Sequence, residues 1–374
     1  MKKPKILLIH NIIAPYRLPL FDEIALISDL TVGYIQKKDN SRIWNQDINS
    51  NNYISFFLPS VKKSFFGKNF FFFKALSKNI FNKYDLIILP DDPTYLVCVI
   101  QFLFQFKKNR SISKLVFWSG NFSYYRPFES KILNYVTITS LSLIRKSLYK
   151  QVDLFWCYSL NTLELLNTSF KINKNRLYPG LQGYPNILIK TPKNINFKNR
   201  YNQNKLIFLG YTSPRKGINI LIDAYNDLKF NDNRNIELEI IGPKNDYLKS
   251  LLTNNNEIVY HGYLESEDKF NCLNECKVLI LPSYSDPWGW VVNEAMAIGL
   301  PVIVTEGVMS KEMIVDQKLI CKIGDKDSLK ASIQYLLNFN FDDYLTLSKH
   351  CIEQSKKHNL DKSMNSFKNL LKNV

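Results

Sequence analysis

The stretch Lys205–Tyr225 reads KLIFLGYTSPRKGINILIDAY and predicts the local fold of the second half of the chain. An apolar run ends at Leu209, a turn with Gly210 and Pro214 follows, and an amphipathic helical pattern begins after Gly217. Glycine allows the backbone to turn tightly directly after a strand. Strand, turn and helix in this order are typical of a βαβ unit.

Similar short apolar runs recur along the chain, and most are followed by a helical stretch. Several of them, including ILLI, LIIL, VLIL and VIV, lack polar alternation, which is typical of strands buried on both faces of a parallel sheet. The pattern predicts an α/β fold with two Rossmann-like domains that share a crevice. The predicted strands are Lys5–Ile9, Thr31–Ile35, Asp85–Leu89, Lys114–Trp118, Asp153–Tyr158, Lys205–Leu209, Glu237–Ile241, Glu257–Tyr260, Lys277–Leu281 and Pro301–Thr305.

The segment Tyr184–Asn204 separates the two sets of strands. It is rich in Pro, Asn and Lys and has no clear periodicity, so we interpret it as a linker. This places one domain at residues 1–183 and the other at 205–358. Residues 359–374 are expected to form a C-terminal helix that packs back on the N-terminal domain.

Length and composition are those of a globular protein with two domains. The chain has 374 residues, of which 45% are hydrophobic and 22% are charged, which excludes wholesale disorder and a coiled coil. The longest apolar stretch, Tyr95–Phe106, is too short for the roughly 20 residues of a membrane span. The apolar run near the start ends at His10 without the cleavage site of a signal peptide. We therefore expect a cytoplasmic protein.

The charge balance favours anionic partners. Lys and Arg number 49 against 33 Asp and Glu, which gives a net charge of +16. A compositional excess of Lys and Asn is the alternative explanation. The basic residues form no single arm and no helix-turn-helix, RNP or zinc-finger pattern, so we expect no nucleic-acid partner. An anionic membrane surface is a further expected partner, because Phe56–Phe81 and Lys131–Lys150 mix apolar side chains with cations. The first of these segments has a second interpretation, as a loop and helix that pack into the domain core.

The six cysteines favour buried free thiols in a reducing compartment. Cys272 and Cys276 are four residues apart on a predicted helix, but no second Cys or His pair at ligand spacing accompanies them. We therefore expect no metal and no cofactor.

Arg215 and Lys216 lie between the end of a predicted strand and the start of a helix. Two cations beside the positive end of a helix dipole are suited to binding a diphosphate. The alternative is a solvated surface pair, but the position after the first strand of the second domain favours the phosphate. The pattern is not a P-loop, because G-x-x-x-x-G-K-[ST] is absent.

A second group of candidates lies in Leu281–Pro301, which reads LPSYSDPWGWVVNEAMAIGLP. A buried strand leads into a loop with Asp286, and a helix that begins near Trp290 contains Glu294. Both carboxylates can then face one pocket, together with the backbone N–H groups of Gly289–Val291, and carboxylates bind sugar hydroxyls well. The alternative is an N-capping Asp and a Glu stabilised by the helix dipole.

The order S-P-R-K-G, then I-I-G-P, then D-x7-E within P-W-G-W-V-V-N-E-A-M-A-x-G-x-P-V-I resembles the retaining glycosyltransferases of family 4. The resemblance is strong over Lys205–Thr305 and weaker over the first half. It implies the GT-B fold, with two facing Rossmann-like domains, parallel sheets and a deep interdomain cleft. It also implies a hexosyltransferase that moves a sugar from a nucleotide diphosphate sugar to a saccharide acceptor without a metal. Members of the surface-polysaccharide type are the best match.

The resemblance also implies residue roles. Arg215 and Lys216 would hold the donor diphosphate. Asp286 stands at the position of the family's first Glu, which binds the donor sugar. Glu294 matches the family's second Glu, which is expected at the ribose of the nucleotide. With these four catalytic candidates go further donor-binding candidates: Gly210, Gly242, Pro243, Tyr263, Gly289, Trp290 and Val291.

The loop His10–Phe21 contains P-Y-R-x-P-x-F, which looks like the acceptor-side loop of members that build bacterial surface polysaccharides. Arg17 is interpreted either as a phosphate ligand or as part of a structural ion pair. The acceptor or cleft candidates are His10, Pro15, Tyr16, Arg17, Asn121 and Arg126.

The expected function is transfer to a saccharide, lipid-linked in our leading hypothesis, at the inner face of the cytoplasmic membrane. A GT-B-fold epimerase or phosphorylase is a second hypothesis, since one fold hosts several reactions. A third is a non-catalytic sugar-nucleotide-binding partner in a polysaccharide assembly complex.

Overall fold

The structure, a computed structural model, describes residues 2–39, 42, 50–65, 68–120, 131–180, 195–253 and 255–374. The chain divides into two compact units. Unit 1 comprises Met1–Phe122, Tyr135–Pro185 and Leu360–Val374, and unit 2 comprises Ser123–Asn134 and Asn186–Asn359. Among the described residues, no helix has the length and apolar character needed to cross a membrane.

Unit 1 is built on a seven-stranded parallel sheet with the order β3-β2-β1-β6-β7-β8-β9. Two further strands, β4 and β5, pair antiparallel with each other. The strands are β1 (Lys5–His10), β2 (Asp29–Tyr34), β3 (Ile54–Phe57), β4 (Ser60–Phe65), β5 (Lys68–Phe73), β6 (Leu86–Asp91), β7 (Lys114–Ser119), β8 (Leu154–Cys157) and β9 (Leu177–Pro179). The helices that contribute to this unit are α1 (Leu18–Ile27), α2 (Leu96–Lys108), α3 (Lys131–Tyr149), α4 (Leu160–Thr168) and α12 (Leu360–Leu371).

Both faces of this sheet are covered by apolar cores. Along β1, Leu7 and Ile9 belong to one core, whereas Ile6 and Leu8 belong to the other. This alternation of fully buried residues is why the strand sequence shows no polar positions. On the second face α12 contributes Phe367, whose ring centroid lies 4.9 Å from that of Trp156.

Unit 2 has a six-stranded parallel sheet with the order β12-β11-β10-β13-β14-β15. Its strands are β10 (Lys205–Leu209), β11 (Glu237–Ile241), β12 (Val259–Gly262), β13 (Val278–Leu281), β14 (Val302–Thr305) and β15 (Ile320–Cys321). Its helices are α5 (Phe197–Asn202), α6 (Ile218–Asn226), α7 (Asp246–Leu252), α8 (Ser266–Glu275), α9 (Trp290–Ala297), α10 (Lys326–Leu337) and α11 (Phe341–Lys357).

The predicted α/β class with parallel sheets is confirmed, and each of the ten predicted strands overlaps an observed strand. The interpretation of Phe56–Phe81 as a loop and helix is wrong, because this segment includes the end of β3 and the β4–β5 pair. Phe71, Phe73 and Phe81 are buried in the core of unit 1. Their burial agrees with the core-packing alternative and removes these three rings from any lipid contact.

The predicted linker also contains regular structure. Residues 184–194 lie outside the described residues, but α5 follows within the same segment. Arg200 of α5 is fully buried and donates hydrogen bonds to the carbonyls of Asn274, at 3.2 Å, and Ile298, at 3.0 Å. The end of this segment is therefore a packed part of unit 2.

Candidate functional site

The sheet order of unit 2 determines where a ligand can enter. β10 lies between β11 and β13, so the connections that leave the carboxyl ends of β10 and β13 run to opposite sides of the sheet. Crevices at such switch points are the usual ligand sites of open α/β sheets. Arg215 and Lys216 follow β10, and Asp286 follows β13. The topology thus brings two separate sequence motifs to one position.

Contacts between backbone atoms lock these two loops together. Gly217 has a φ of +70°, and a Cβ at this position would lie 2.0 Å from the carbonyl oxygen of Pro282. Any other residue would therefore clash with the loop after β13. The N–H of Tyr284 donates to the carbonyl of Arg215 at 2.9 Å.

A buried ion pair joins the two motifs. Lys216 Nζ donates to a carboxylate oxygen of Asp286, and the two side chains are only 12% and 9% exposed. The Arg215 guanidinium donates to the carbonyl of Ser285. Burial acts to raise the pKa of Asp286, but Lys216 and Arg215 outweigh it and hold this pKa below its ordinary value. The three side chains together carry one net positive charge, as suits an anionic ligand.

Asp286 is also fixed through its backbone and by the next turn. Its N–H donates to the carbonyl of Gly307 at 2.9 Å, and its own carbonyl accepts from Met309 at 3.1 Å. Oδ1 accepts from the N–H of Trp288 at 3.3 Å. The loop after β14 therefore holds the backbone of Asp286, and Lys216 and the N–H of Trp288 hold its carboxylate.

Glu294 lies in α9, the helix that the sequence analysis predicts to begin near Trp290. Gly289 is the N-cap residue with a φ of +88°, and the helix begins at Trp290 and Val291. Glu294 is buried, and Oε1 accepts from Lys269 Nζ at 2.8 Å. Sequence reasoning missed Lys269, because it lies on α8, which carries no recognisable motif.

The remaining donor-side candidates lie at the ends of β10, β11 and β12. A Cβ on Gly242 would lie 2.1 Å from the carbonyl oxygen of Gly210, so these two loops are also in contact. The carbonyl of Pro243 accepts from Thr212 Oγ1 at 2.6 Å. Tyr263 follows β12, is 45% exposed, and donates to a Glu265 carboxylate oxygen at 2.7 Å.

In unit 1, His10 ends β1 and is buried. Its Nδ1 lies 3.0 Å from the carbonyl oxygen of Ile12, and its ring packs edge-on against Phe21. Burial first, and then the charge of Arg17, lower the pKa of His10 to about 3. His10 is therefore neutral at physiological pH and a poor proton acceptor.

Pro15, Tyr16 and Arg17 form a short 3₁₀ turn that leads into α1. The Arg17 guanidinium lies 4.5 Å from the ring centroid of Trp118 and 5.1 Å from that of Tyr158. These are cation–π contacts, which neither of the two sequence interpretations anticipated. Asn121 and Arg126 lie outside the described residues.

A polar cluster that the sequence analysis missed lies at the end of β6, beside β1. Asp91 accepts hydrogen bonds from Ser119 at 2.9 Å, Arg145 at 3.1 Å and Tyr149 at 2.7 Å. All four side chains are buried. Burial and the nearby Asp91 raise the pKa of Tyr149, so its hydroxyl stays protonated and donates. The available signal was the sequence D-D-P, residues 91–93, which begins at the last residue of the buried strand.

Residues 191–358 match the profile of the family described as "Glycosyl transferases group 1". Most of unit 2 is therefore similar to glycosyl transferases of group 1. The matched segment contains the four catalytic candidates and the further donor-side candidates. His10, Pro15, Tyr16 and Arg17 lie outside it.

Two curated proteins match part of the chain. An uncharacterized glycosyltransferase of Methanocaldococcus jannaschii is 30% identical over 217 residues, which are 56% of this chain and 59% of that protein. The O-antigen chain mannosyltransferase B of Escherichia coli is 28% identical over 137 residues, which are 35% of this chain and 36% of that protein. The chain thus spans about three fifths of the first relative and about a third of the second.

A solved structure matches the whole chain. HepE of Anabaena, solved in complex with UDP, has a TM-score of 0.71 at 17% identity and covers 99% of this chain and 100% of its own. At this identity the likeness establishes the fold alone. The predicted GT-B fold class is confirmed, and the segment that matches the group 1 profile lies in one of its two α/β units.

Proposed function

We propose that the chain is a retaining glycosyltransferase of family 4 that moves a hexose from a nucleotide diphosphate sugar to a saccharide acceptor. The observation that carries the proposal is the buried Lys216–Asp286 pair beside Arg215, at the switch point of unit 2. The cations are suited to a diphosphate, and the carboxylate is suited to sugar hydroxyls. The cations and the carboxylate together fit a ligand that contains both a diphosphate and sugar hydroxyls.

The proposed reaction starts with cleavage of the bond between the anomeric carbon and the diphosphate oxygen. The bonding electrons leave with the nucleotide diphosphate, and Arg215 and Lys216 stabilise its developing charge. Asp286 orients the sugar, and Glu294 orients the ribose. The acceptor hydroxyl attacks the oxocarbenium-like carbon from the face of the leaving group, and the leaving phosphate takes the hydroxyl proton. No side chain is needed as a base, which agrees with a neutral, buried His10.

Two of the comparisons support a class of substrate. HepE of Anabaena was solved in complex with UDP, which supports a nucleoside diphosphate donor here. The Escherichia coli relative is named for the O-antigen chain, which supports a saccharide acceptor in surface polysaccharide or glycolipid assembly. We propose a lipid-linked acceptor and no metal in the transfer step.

The donor proposal is tested by thermal shift with UDP, GDP, ADP, TDP and CMP. One diphosphate is expected to raise the melting temperature of the wild type and of Lys249→Ala, but not of Lys216→Ala. Lys249 is a suitable control because it is an exposed lysine that pairs with Asp246 at 2.9 Å on α7. A ligand at a hundredfold excess over its Kd adds about 2.7 kcal/mol of stability. If no nucleotide shifts the wild type, the proposed donor site is wrong.

We also propose that α3 contacts the anionic inner face of a membrane. Ile132, Tyr135 and Leu143 on this helix are 77%, 72% and 62% exposed. Lys146 and Lys150 lie near its end, and the chain has a net charge of +16. Apolar side chains beside lysines suit the boundary between headgroups and acyl chains.

Co-sedimentation with vesicles that contain an anionic phospholipid tests the membrane proposal. The wild type is expected to sediment with these vesicles at physiological salt, and the double variant Ile132→Ser/Leu143→Ser is expected to stay in the supernatant. Phe230→Ser is the matched control, because Phe230 is 59% exposed in unit 2. If the wild type and the double variant sediment equally, the proposed membrane contact of α3 is wrong.

A further inference from the structure

A second polar cluster lies in unit 2, apart from the residues assigned to the donor. Glu239 of β11, His261 of β12 and Cys272 of α8 each offer one metal-ligand atom, and these atoms lie within 4.8 Å of one another. Glu239 Oε2 lies 2.8 Å from His261 Nε2 and 3.3 Å from Cys272 Sγ. The proposed transfer reaction gives none of the three a role.

We propose that Glu239, His261 and Cys272 form a binding site for a divalent transition metal, with Zn²⁺ as the best match. Zinc binds imidazole nitrogen at about 2.0–2.1 Å, carboxylate oxygen at about 2.0–2.2 Å and thiolate sulfur at about 2.3 Å. A tetrahedral arrangement with such bonds separates neighbouring ligand atoms by about 3.3–3.6 Å. The observed separations of 2.8 and 3.3 Å come within about half an ångström of this.

The charges in the cluster also suit a cation. Glu239 is only 5% exposed. Its carboxylate is in contact with His261, Cys272 and Lys205. Lys205 Nζ lies 3.2 Å from Oε1, whereas His261 and Cys272 share Oε2. A metal bound here would replace the hydrogen atoms that lie between Oε2 of Glu239 and its partners His261 and Cys272. Lys205 would keep its contact with Oε1.

Binding requires one proton to leave the protein. The Cys272 thiol loses its proton to water as the Zn–S bond forms, and neutral His261 binds through Nε2 with its proton on Nδ1. Thiolate and carboxylate then carry two negative charges against the two positive charges of the metal, and Lys205 leaves the cluster with one net positive charge. His261 has a side chain that is 30% exposed, and Cys272 is half-buried, so solvent reaches the cluster.

The metal would tie three elements of unit 2 together. Among the strands that the structure describes, β12 lies at the edge of its sheet and pairs only with β11, with an irregular register between Ile240 and Ile241. A bond from His261 to Cys272 through the metal connects this edge to α8. With three protein ligands and a water in the fourth position, we infer that the metal holds β11, β12 and α8 together, and its binding is expected to raise the melting temperature of the full chain.

The test uses the full chain without a polyhistidine tag, first depleted of metal with a chelator. Zn²⁺ is titrated in competition with a chromophoric chelator, and Co²⁺ is added in a separate experiment as a spectroscopic probe. We expect one metal per chain and, with Co²⁺, a thiolate-to-cobalt charge-transfer band. Loss of a residue that only orients a metal ligand weakens metal binding by roughly 10–100-fold. His261→Gln and Cys272→Ser remove a ligand itself, so each is expected to weaken Zn²⁺ binding by at least that factor.

Matched controls are His350→Gln, an exposed histidine on α11, and Cys98→Ser, a buried thiol in unit 1. Both are expected to bind Zn²⁺ like the wild type. The proposal is overturned if the wild type binds no stoichiometric Zn²⁺, if the cobalt complex lacks the charge-transfer band, or if His261→Gln binds as tightly as the wild type. Circular dichroism establishes that each variant folds, and if Cys272→Ser does not, His261→Gln and the cobalt band decide the question.

Discussion

Replacing Lys216 with alanine is expected to lower kcat/KM for sugar transfer by about 100–1000-fold, the usual cost of removing one group that stabilises developing charge. Lys216 is the cation that contacts Asp286, and in the proposed reaction it also contacts the departing diphosphate. Its loss leaves Asp286 buried without its ammonium partner, so the site loses a positive charge where negative charge develops. Arg215 remains, which is why some activity is expected to persist.

The measurement is the initial rate of transfer from the nucleotide sugar that the binding panel identifies. Lys249→Ala is the control and is expected to keep the wild-type rate, because Lys249 is exposed on α7. Lys216→Arg is expected to recover part of the rate, since it restores the charge with a different shape. Wild-type activity in Lys216→Ala would contradict the assigned role. Nucleotide binding without any turnover in the wild type would favour the non-catalytic partner.

Replacing Asp91 with alanine is expected to lower the free energy of unfolding of unit 1 by about 3–5 kcal/mol, because it removes the carboxylate of a buried ion pair. Arg145 and Asp91 each have side chains that are only 5% exposed, and their atoms lie 3.1 Å apart. Ser119 and Tyr149 lose their acceptor at the same time. The guanidinium keeps its charge at any pH at which the protein folds.

Urea denaturation followed by tryptophan fluorescence measures this effect, because Trp118 and Trp156 lie in the core of unit 1. Asp246→Ala removes an exposed ion pair with Lys249 and is expected to cost no more than about 1 kcal/mol. Adding Arg145→Met to Asp91→Ala is expected to restore part of the lost stability, since the second buried charge of the ion pair is then removed as well. A loss below about 1 kcal/mol in the single variant would show that water or another group compensates Arg145.

Local sequence predicted the long strands and the loops at their ends. A parallel strand that is buried on both faces needs several apolar residues in a row. Runs such as LIIL and VLIL therefore predict such strands from neighbouring residues alone. The short edge strands β3, β9 and β15 lack that signal and were missed. The Phe-rich pair β4–β5 was misinterpreted because its aromatic residues and lysines also fit a loop and helix packed into the core, or a surface at a lipid interface.

The sequence patterns could not predict contacts between polar residues that are distant from each other in the sequence. Arg145 is 54 residues from Asp91, and Cys272 is 33 residues from Glu239. Lys269 meets Glu294 across 25 residues and two different helices. In contrast, Arg215, Lys216 and Asp286 were identified because each lies in the loop after a buried strand. Ligand sites of open α/β sheets are formed by such loops.

The path of the chain through α12 has a consequence for protein synthesis. The ribosome makes the strands of unit 1 early, but Met364, Phe367 and Leu370, which complete one of its cores, come only after residues 186–359. At about 5–20 residues per second, those 174 residues take roughly 9–35 s. During that time the Trp156 face of the nascent sheet lacks its last helix, while residues 186–359 emerge as one uninterrupted segment. The first unit to be translated is therefore the last to be completed.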